Sequence, residues 1–353
     1  MSSPAFHERL LAWFDRHGRK DLPWQQNKTP YRVWISETML QQTQVVAVIP
    51  YFNAFIARFP DVDTLADASL DEVLKYWSGL GYYARARNLH KTAQLIAARG
   101  FFPNTFDEIK KLPGIGLSTA GAIMSIAFNQ SHPILDGNVR RVLARYQSIE
   151  GWPAETKVNN RLWELSRQLT PKNRVADYTQ AIMDLGATLC KRRKPICSAC
   201  PLNTDCQAYL TNRTAELPTP RPGKTLPVKQ RTFLLLTNAQ QQILLEKRHP
   251  SGIWGGLWSV PEFDNQEQAL DWCSAQNVSI IHQQTLKQQR HTFSHYHLDY
   301  TPLLIQTDGL MSGVREVDRV DWYEINGSGK LGLAAPIKRL LKQCMVKKRM
   351  NND

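Results

Sequence analysis

The chain is poor in acid and has no long apolar run. Asp and Glu total 31 against 44 Lys and Arg among 353 residues, a formal net charge of +13. Such an excess favours a polyanionic partner, with DNA or RNA ahead of an acidic membrane surface. No apolar stretch is long enough to cross a bilayer. Residues Met1 to Leu10 lack the apolar core of a secretory signal, so a cytoplasmic protein without a membrane partner is expected; a monomer is expected as well. Thiols stay reduced there, which turns a cysteine cluster towards metal binding and away from disulfides. No internal repeat is present either. What is present is 42% apolar and 9% aromatic residues, a globular composition. The length suits two or three domains.

From Phe6 to about Asn212 apolar residues recur at three- and four-residue spacing, predicting helices with short interruptions. Pro30, Pro60, Pro103 and Pro113 fall where one helix should stop or the next begin. Residues 217–228 are too rich in proline for a helix and read as a stiff linker. Beyond it, Phe233-Leu234-Leu235-Leu236 and Ile243-Leu244-Leu245 predict a hairpin. Helices over 266–276 and 336–344 complete a small α+β domain spanning 229–346, followed by a basic tail, 347–353.

Four of the six cysteines fall together, Cys190, Cys197, Cys200 and Cys206, spaced C-x6-C-x2-C-x5-C. Thiolates this close in sequence can converge on one soft metal centre. The spacing is not that of the paired zinc ribbons, which lowers the zinc alternative. Lys191, Arg192, Arg193 and Lys194 sit in a loop pinned by the first two cysteines, a candidate phosphate contact. Cys273 and Cys344 stand alone and read as small buried hydrophobes. Leu112-Pro113-Gly114-Ile115-Gly116 allows a tight reversal with backbone N–H groups presented at a helix start, where an anion is favoured.

Two carboxylates stand out. Asp136, in Leu135-Asp136-Gly137-Asn138, opens an apolar-periodic helix and reads as an N-cap, held ionised by backbone donors and the helix dipole. A fixed anion of this kind can stabilise an oxocarbenium ion in deoxyribose. Glu37 lies in Trp34-Ile35-Ser36-Glu37-Thr38-Met39-Leu40-Gln41-Gln42-Thr43-Gln44, a stretch nearly free of charge. On one continuous helix Glu37, Gln41 and Gln44 share a face, with Val46 on the apolar one. Desolvation there raises a carboxyl's pKa and lets it donate a proton at neutral pH.

These motifs, in this order, resemble those of the MutY-type adenine DNA glycosylases of the helix-hairpin-helix superfamily. The resemblance covers nearly the whole chain. It implies an all-α glycosylase module over 1–216: a six-helix barrel at about 25–134, and a cluster module from the N-terminal helix plus 135–212. The cysteines then hold a [4Fe–4S] cluster. Glu37 becomes the acid that protonates N7 of adenine and then assists water, Asp136 the oxocarbenium-stabilising aspartate, and Asn138 and Ser118 join the catalytic set. Ser118 stands where strand-cutting relatives carry a lysine nucleophile, and serine forms no Schiff base. A monofunctional enzyme is therefore expected, ahead of an endonuclease III-like glycosylase/lyase or a non-catalytic cluster-bearing DNA-binding protein. Gln41, Gln42, Tyr82 and Tyr83 are candidates to fill the gap left by a flipped nucleotide. Arg85, Arg87, Leu112, Pro113, Gly114 and Gly116 are expected DNA contacts.

The stretch Gly252-Ile253-Trp254-Gly255-Gly256-Leu257-Trp258 resembles the lead-in to a Nudix box. The clustered glutamates that would hold magnesium are replaced by Asn265-Gln266-Glu267-Gln268. A Nudix-like shell without that site matches the domain with which MutY proteins recognise 8-oxoguanine. By the same resemblance Phe293, Ser294 and His295 are the recognition loop. The implied partner is double-stranded DNA carrying adenine opposite 8-oxoguanine or guanine.

Overall fold

The computed structural model describes residues 5–223, 225–308, 320–325 and 331–350. By contact the chain divides into two units. The first comprises Met1–Asp67 and Asn88–Gly223, the second Ala68–Arg87 and Lys224–Asp353. Segment 68–87 thus belongs with the C-terminal residues, although its sequence pattern continues the helices on either side. The end of the basic tail, 351–353, lies outside the described residues.

The first unit is helical. Phe6, Leu10, Leu11 and Phe14, at helical spacing on the Phe6–His17 helix, pack into one core with Val139, Leu143, Leu162, Tyr178 and Leu185. The N-terminal helix is therefore part of the layer built from residues after Asp136. The Leu117–Phe128 helix packs against both the Pro30–Leu40 and Val175–Thr188 helices. One face of it carries small residues, Ser118, Gly121 and Ser125, and the chain returns along that face. The Ser125 hydroxyl donates to the carbonyls of Gln130 and His132, and Ser118 Oγ accepts from Leu135 N at 2.9 Å. Between them, a Cβ on Gly121 would stand 2.4 Å from the Pro133 carbonyl oxygen. This track delivers residue 136. The linker's first residues are packed, not free: Leu217 is buried and its carbonyl accepts from Arg145.

In the second unit the strands are β1 (Val228–Thr237), β2 (Gln242–Lys247), β3 (Trp258–Ser259), β4 (Glu262–Phe263), β5 (Ile280–Thr285), β6 (Gln289–Thr292), β7 (His297–Thr307) and β8 (Val320–Glu324). The order is β3-β2-β1-β7-β5, with β4 on β1, β6 on β7 and β8 on β2. The long β1–β7 pair is parallel, Val228 to Thr237 against His297 to Gln306. Phe233 to Leu236 are wholly buried, as a central strand covered on both faces requires. Leu234 and Leu236 meet Ala269 and Cys273 of the Gln266–Ala275 helix, while Phe233 stacks on Tyr300. Cys273 and Cys344 are both buried.

The Gly137–Tyr146 and Val175–Thr188 helices meet where Gly186 faces Asn138, and a Cβ on Gly186 would lie 2.6 Å from Asn138 Cβ. Gly186→Ala is expected to cost about 1–3 kcal/mol by overpacking, read as a lowered melting temperature against the parent.

Candidate active site

Glu37 is supplied by a mostly apolar helix in which Arg32 is the other charged residue. Thr29 caps it, accepting from Arg32 N at 3.2 Å, and Pro30 starts it. Tyr31, Val33, Trp34, Ile35, Ser36, Thr38 and Met39 are buried, and Ser36 and Thr38 donate back to the carbonyls of Val33 and Trp34. Glu37 is the one acid in the helix. Burial, and then the negative charge of Asp136, push its carboxyl up to about 8.

The helix ends at Leu40, contrary to the one continuous helix expected to run through Val46. Gln42 takes a left-handed conformation, φ 59°, and Gln44 caps the Val45–Arg58 helix instead. Gln41 lies in the connecting turn, where its amide donates to Thr119 Oγ1 at 3.2 Å. Gln42 is exposed, as is Val46, which is 81% exposed and not on a buried face.

Asp136 is the N-cap read from the sequence, with Oδ1 accepting from Val139 N at 2.7 Å. Its expected ionisation needs correction in one respect. Burial raises its carboxyl above the ordinary range, outweighing the Val139 and Asn138 backbone donors and the charges of Arg141 and Arg140. The two carboxyls therefore titrate as a pair. Glu37 is raised in part by the charge on Asp136, so ionising Asp136 makes the Glu37 proton harder to lose.

Asn138 does not face the chemistry freely; its Oδ1 accepts from Arg141 Nη2 at 2.8 Å. Arg141 also donates to the carbonyls of Cys190 and Gly186, each at 2.7 Å. One helical turn on, Arg145 is buried and donates to Cys190 Sγ at 3.3 Å and to the carbonyls of Lys191, Arg192 and Leu217. Neither arginine was given a role from sequence. The available signal was Arg145 at the edge of the stripe formed by Val139, Val142, Leu143 and Tyr146.

Cys190, Cys197, Cys200 and Cys206 line one cavity of about 30 Å³ together with Arg145, Leu189 and Ile196. Burial raises the Cys200 thiol to about 12 and those of Cys197 and Cys206 in the same direction, and the neighbouring sulfurs add to the rise. Clustered thiolates with one cationic donor need further positive charge, so this donor set fits a metal centre. Among the described residues no group of three or more such side chains stands in a ready-made metal geometry. The side chains of Lys191, Arg192, Arg193 and Lys194 are exposed, while the backbone of the first two is held by Arg145.

The hairpin is as expected. Gly114 is left-handed at φ 77°, Gly116 caps the Leu117–Phe128 helix, and both are exposed; Leu112 and Pro113 are half-buried. Leu117, 52% exposed, extends that surface with an apolar side chain.

In the second unit Tyr82 is exposed and Tyr83 buried. The expected phosphate contacts beside them turn inward. Arg85 is buried and donates to the carbonyls of Leu80 and Gly81, and Arg87 Nη1 donates to the carbonyl of Gly255. Phe293 to Tyr296 form the turn between β6 and β7, closed by Phe293 N to the Tyr296 carbonyl. Phe293 packs beneath it among Trp254, His291 and Tyr296, leaving Ser294 and His295 exposed at the tip.

The raised Glu37 carboxyl fixes a sign for stability. The folded state keeps a proton that the unfolded chain releases near pH 4.5, so stability falls as pH rises from there through about 8. Glu37→Gln removes that penalty. Its melting temperature is expected to exceed the parent's by roughly several degrees at pH 9, with the difference closing near pH 4.

Residues 35–168 match the HhH-GPD superfamily of base excision DNA repair proteins, and residues 232–343 match the NUDIX domain. The adenine DNA glycosylase of Buchnera aphidicola subsp. Acyrthosiphon pisum is 41% identical across 97% of this chain and 98% of its own length. That of Mus musculus is 35% identical across 84% of this chain and 69% of its own. A solved thermostable thymine-DNA glycosylase superimposes with a TM-score of 0.53 at 28% identity, over 58% of this chain and 95% of its own.

Proposed function

We infer that this chain, which belongs to the adenine DNA glycosylase family, excises adenine paired with 8-oxoguanine or guanine in duplex DNA and does so without cutting the strand. The observation that carries the chemistry is the carboxyl pair: Glu37 raised to about 8 by burial and then by the charge of Asp136. At neutral pH Glu37 holds a proton that it can place on a ring nitrogen of adenine, making the base a better leaving group. Asp136, held by the Val139 N–H, stabilises the oxocarbenium ion left on the sugar. Glu37, now a carboxylate, takes a proton from the attacking water. Ser118 supports this site by holding the backbone of Leu135 and offers no amine for a covalent adduct.

DNA is engaged by the Gly114–Gly116 hairpin, by the exposed cations of 191–194 and by Gln41, Gln42 and Tyr82 around the extruded nucleotide. Cys190, Cys197, Cys200 and Cys206 are the residues that would hold a [4Fe–4S] cluster. When bound, such a cluster supplies a cross-link for the loop that presents the cations. Ser294 and His295 offer donors and acceptors side by side, suited to the altered edge of 8-oxoguanine.

On a duplex with adenine opposite 8-oxoguanine, Glu37→Gln is expected to lower the single-turnover rate by about 10²- to 10⁴-fold while leaving duplex affinity nearly intact. Comparable rates would sink the assignment, and a borohydride-trapped DNA adduct with the parent would point to a lyase. Replacing Ser294 and His295 together by Ala should cut the preference for 8-oxoguanine over guanine by roughly tenfold to a hundredfold, measured as a rate and affinity ratio at one salt concentration. A double variant that keeps the parent's ratio would remove the loop from recognition.

A further inference from the structure

Tyr82 is presented by a turn that is rigid inside and anchored outside. Within it, Gly79 and Gly81 are left-handed at φ 116° and 75°, and so is Tyr82 itself at φ 49°. Trp77 Nε1 donates to the Gly81 carbonyl at 3.2 Å, and Gly79 N donates to the Tyr83 hydroxyl at 3.3 Å. The Arg85 guanidinium lies over the Trp77 and Tyr82 rings at 5.3 and 5.5 Å. A tyrosine in a left-handed conformation costs on the order of 1 kcal/mol or more and persists only where its surroundings over-determine it.

Those surroundings come from the Nudix-like sheet. On the helix before the turn, Asp71 pairs with Lys247 at the end of β2 at 2.8 Å. The turn's first residue, Ser78, donates through Oγ to the Leu333 carbonyl at 2.8 Å. After the turn, Arg87 reaches the Gly255 carbonyl at 2.7 Å. Leu333 is itself bridged to Trp258 of β3. A Cβ on Gly332 would stand 3.1 Å from Leu74, so the sheet's loop lies directly on the Leu70–Trp77 helix. Three bonds from three parts of the sheet's surroundings thus fix the segment before, at and after the turn.

We propose that Asp71, Lys247 and Ser78 are positioning residues for base extrusion: through them the Nudix-like sheet sets the turn that carries Tyr82, so the domain expected to read the opposite base also sets the group expected to enter the stack. The proposal rests on the reading of Tyr82 as the residue that enters the DNA. It makes the second domain a mechanical part of excision as well as a selector of substrate. Holding the turn in advance lowers the ordering cost of inserting a side chain into DNA.

The test uses the full chain and a duplex with 2-aminopurine next to the target adenine, whose fluorescence rises on unstacking without any need for excision. Asp71→Lys and Lys247→Asp are each expected to lower the unstacking signal and the single-turnover rate about threefold, the scale of a partly exposed ion pair. The double charge swap should restore both. Ser78→Ala, which leaves a buried carbonyl unpaired, should cost about tenfold. In a Tyr82→Ala background Asp71→Lys should have no further effect, which a merely structural role would not produce. If Lys at 71 prevents folding, Asp71→Asn gives the same direction without added bulk. The proposal is overturned by single variants with the parent's unstacking, by a double swap that fails to restore it, or by independent effects of Asp71→Lys and Tyr82→Ala. A parent that unstacks the duplex but releases no adenine would refute the proposed function and leave this measurement standing.

Discussion

Two carboxyl groups share a desolvated site, and much of the first unit follows from making that tolerable. A buried carboxylate is unfavourable, and a second one beside it more so. The outcome here is that burial raises both carboxyls, and charge on Asp136 raises Glu37 further. Stability is given up for this at neutral pH, because the folded chain must hold a carboxyl far from its solution behaviour. The groups that could relieve the pair are directed at one member only. Backbone N–H groups and the charges of Arg140 and Arg141 act on Asp136, and burial still wins. Had the same donors reached Glu37, its carboxyl would be raised less.

Holding such a pair requires rigid supports, and they are built from small residues and long ones. Ser118, Gly121 and Ser125 let an irregular chain segment lie flat on a helix, so residue 136 follows directly on a Leu135 whose N–H is already held. Arg141 and Arg145 do the opposite work, spanning several backbone carbonyls apiece between the helix that Asp136 caps and the cysteine loop. Their charges are committed inward. The four cations of 191–194 stay exposed, and those same bonds hold the backbone of Lys191 and Arg192.

The motifs were legible in the sequence because each is a local pattern. The cysteine spacing, the Leu112–Gly116 hairpin, the Asp136 cap and the Nudix-like lead-in need no tertiary information. Periodicity failed where backbone conformation broke it without a glycine or proline to announce the break. Gln42 turns left-handed and divides what reads as one helix, exposing Val46. Charge misled at Arg85 and Arg87, since arginines beside a glycine-rich turn look like phosphate contacts until the carbonyls they satisfy are seen. The assignment of segment 68–87 to the second unit was also invisible, being a matter of long-range contact.

The Nudix-like unit shows how a fold keeps its frame after its acids are redirected. Glu262 is paired with both Arg231 and Arg248, and Asp264 with Arg231. These carboxylates line a cavity with Glu246, Lys247, Phe263 and Gln268, beside the helix where a magnesium-binding unit would place clustered glutamates. Arginines so placed neutralise the acids locally, and the first turn of the helix carries one acid, Glu267, between two glutamines. The sheet keeps its buried β1–β7 spine because that spine depends on apolar packing and not on the lost site. What remains is a platform bearing a short hairpin tip, and the proposed discrimination between 8-oxoguanine and guanine would need that tip held in one conformation. A difference of one carbonyl and one proton is read only by groups that cannot relax to accommodate the wrong edge.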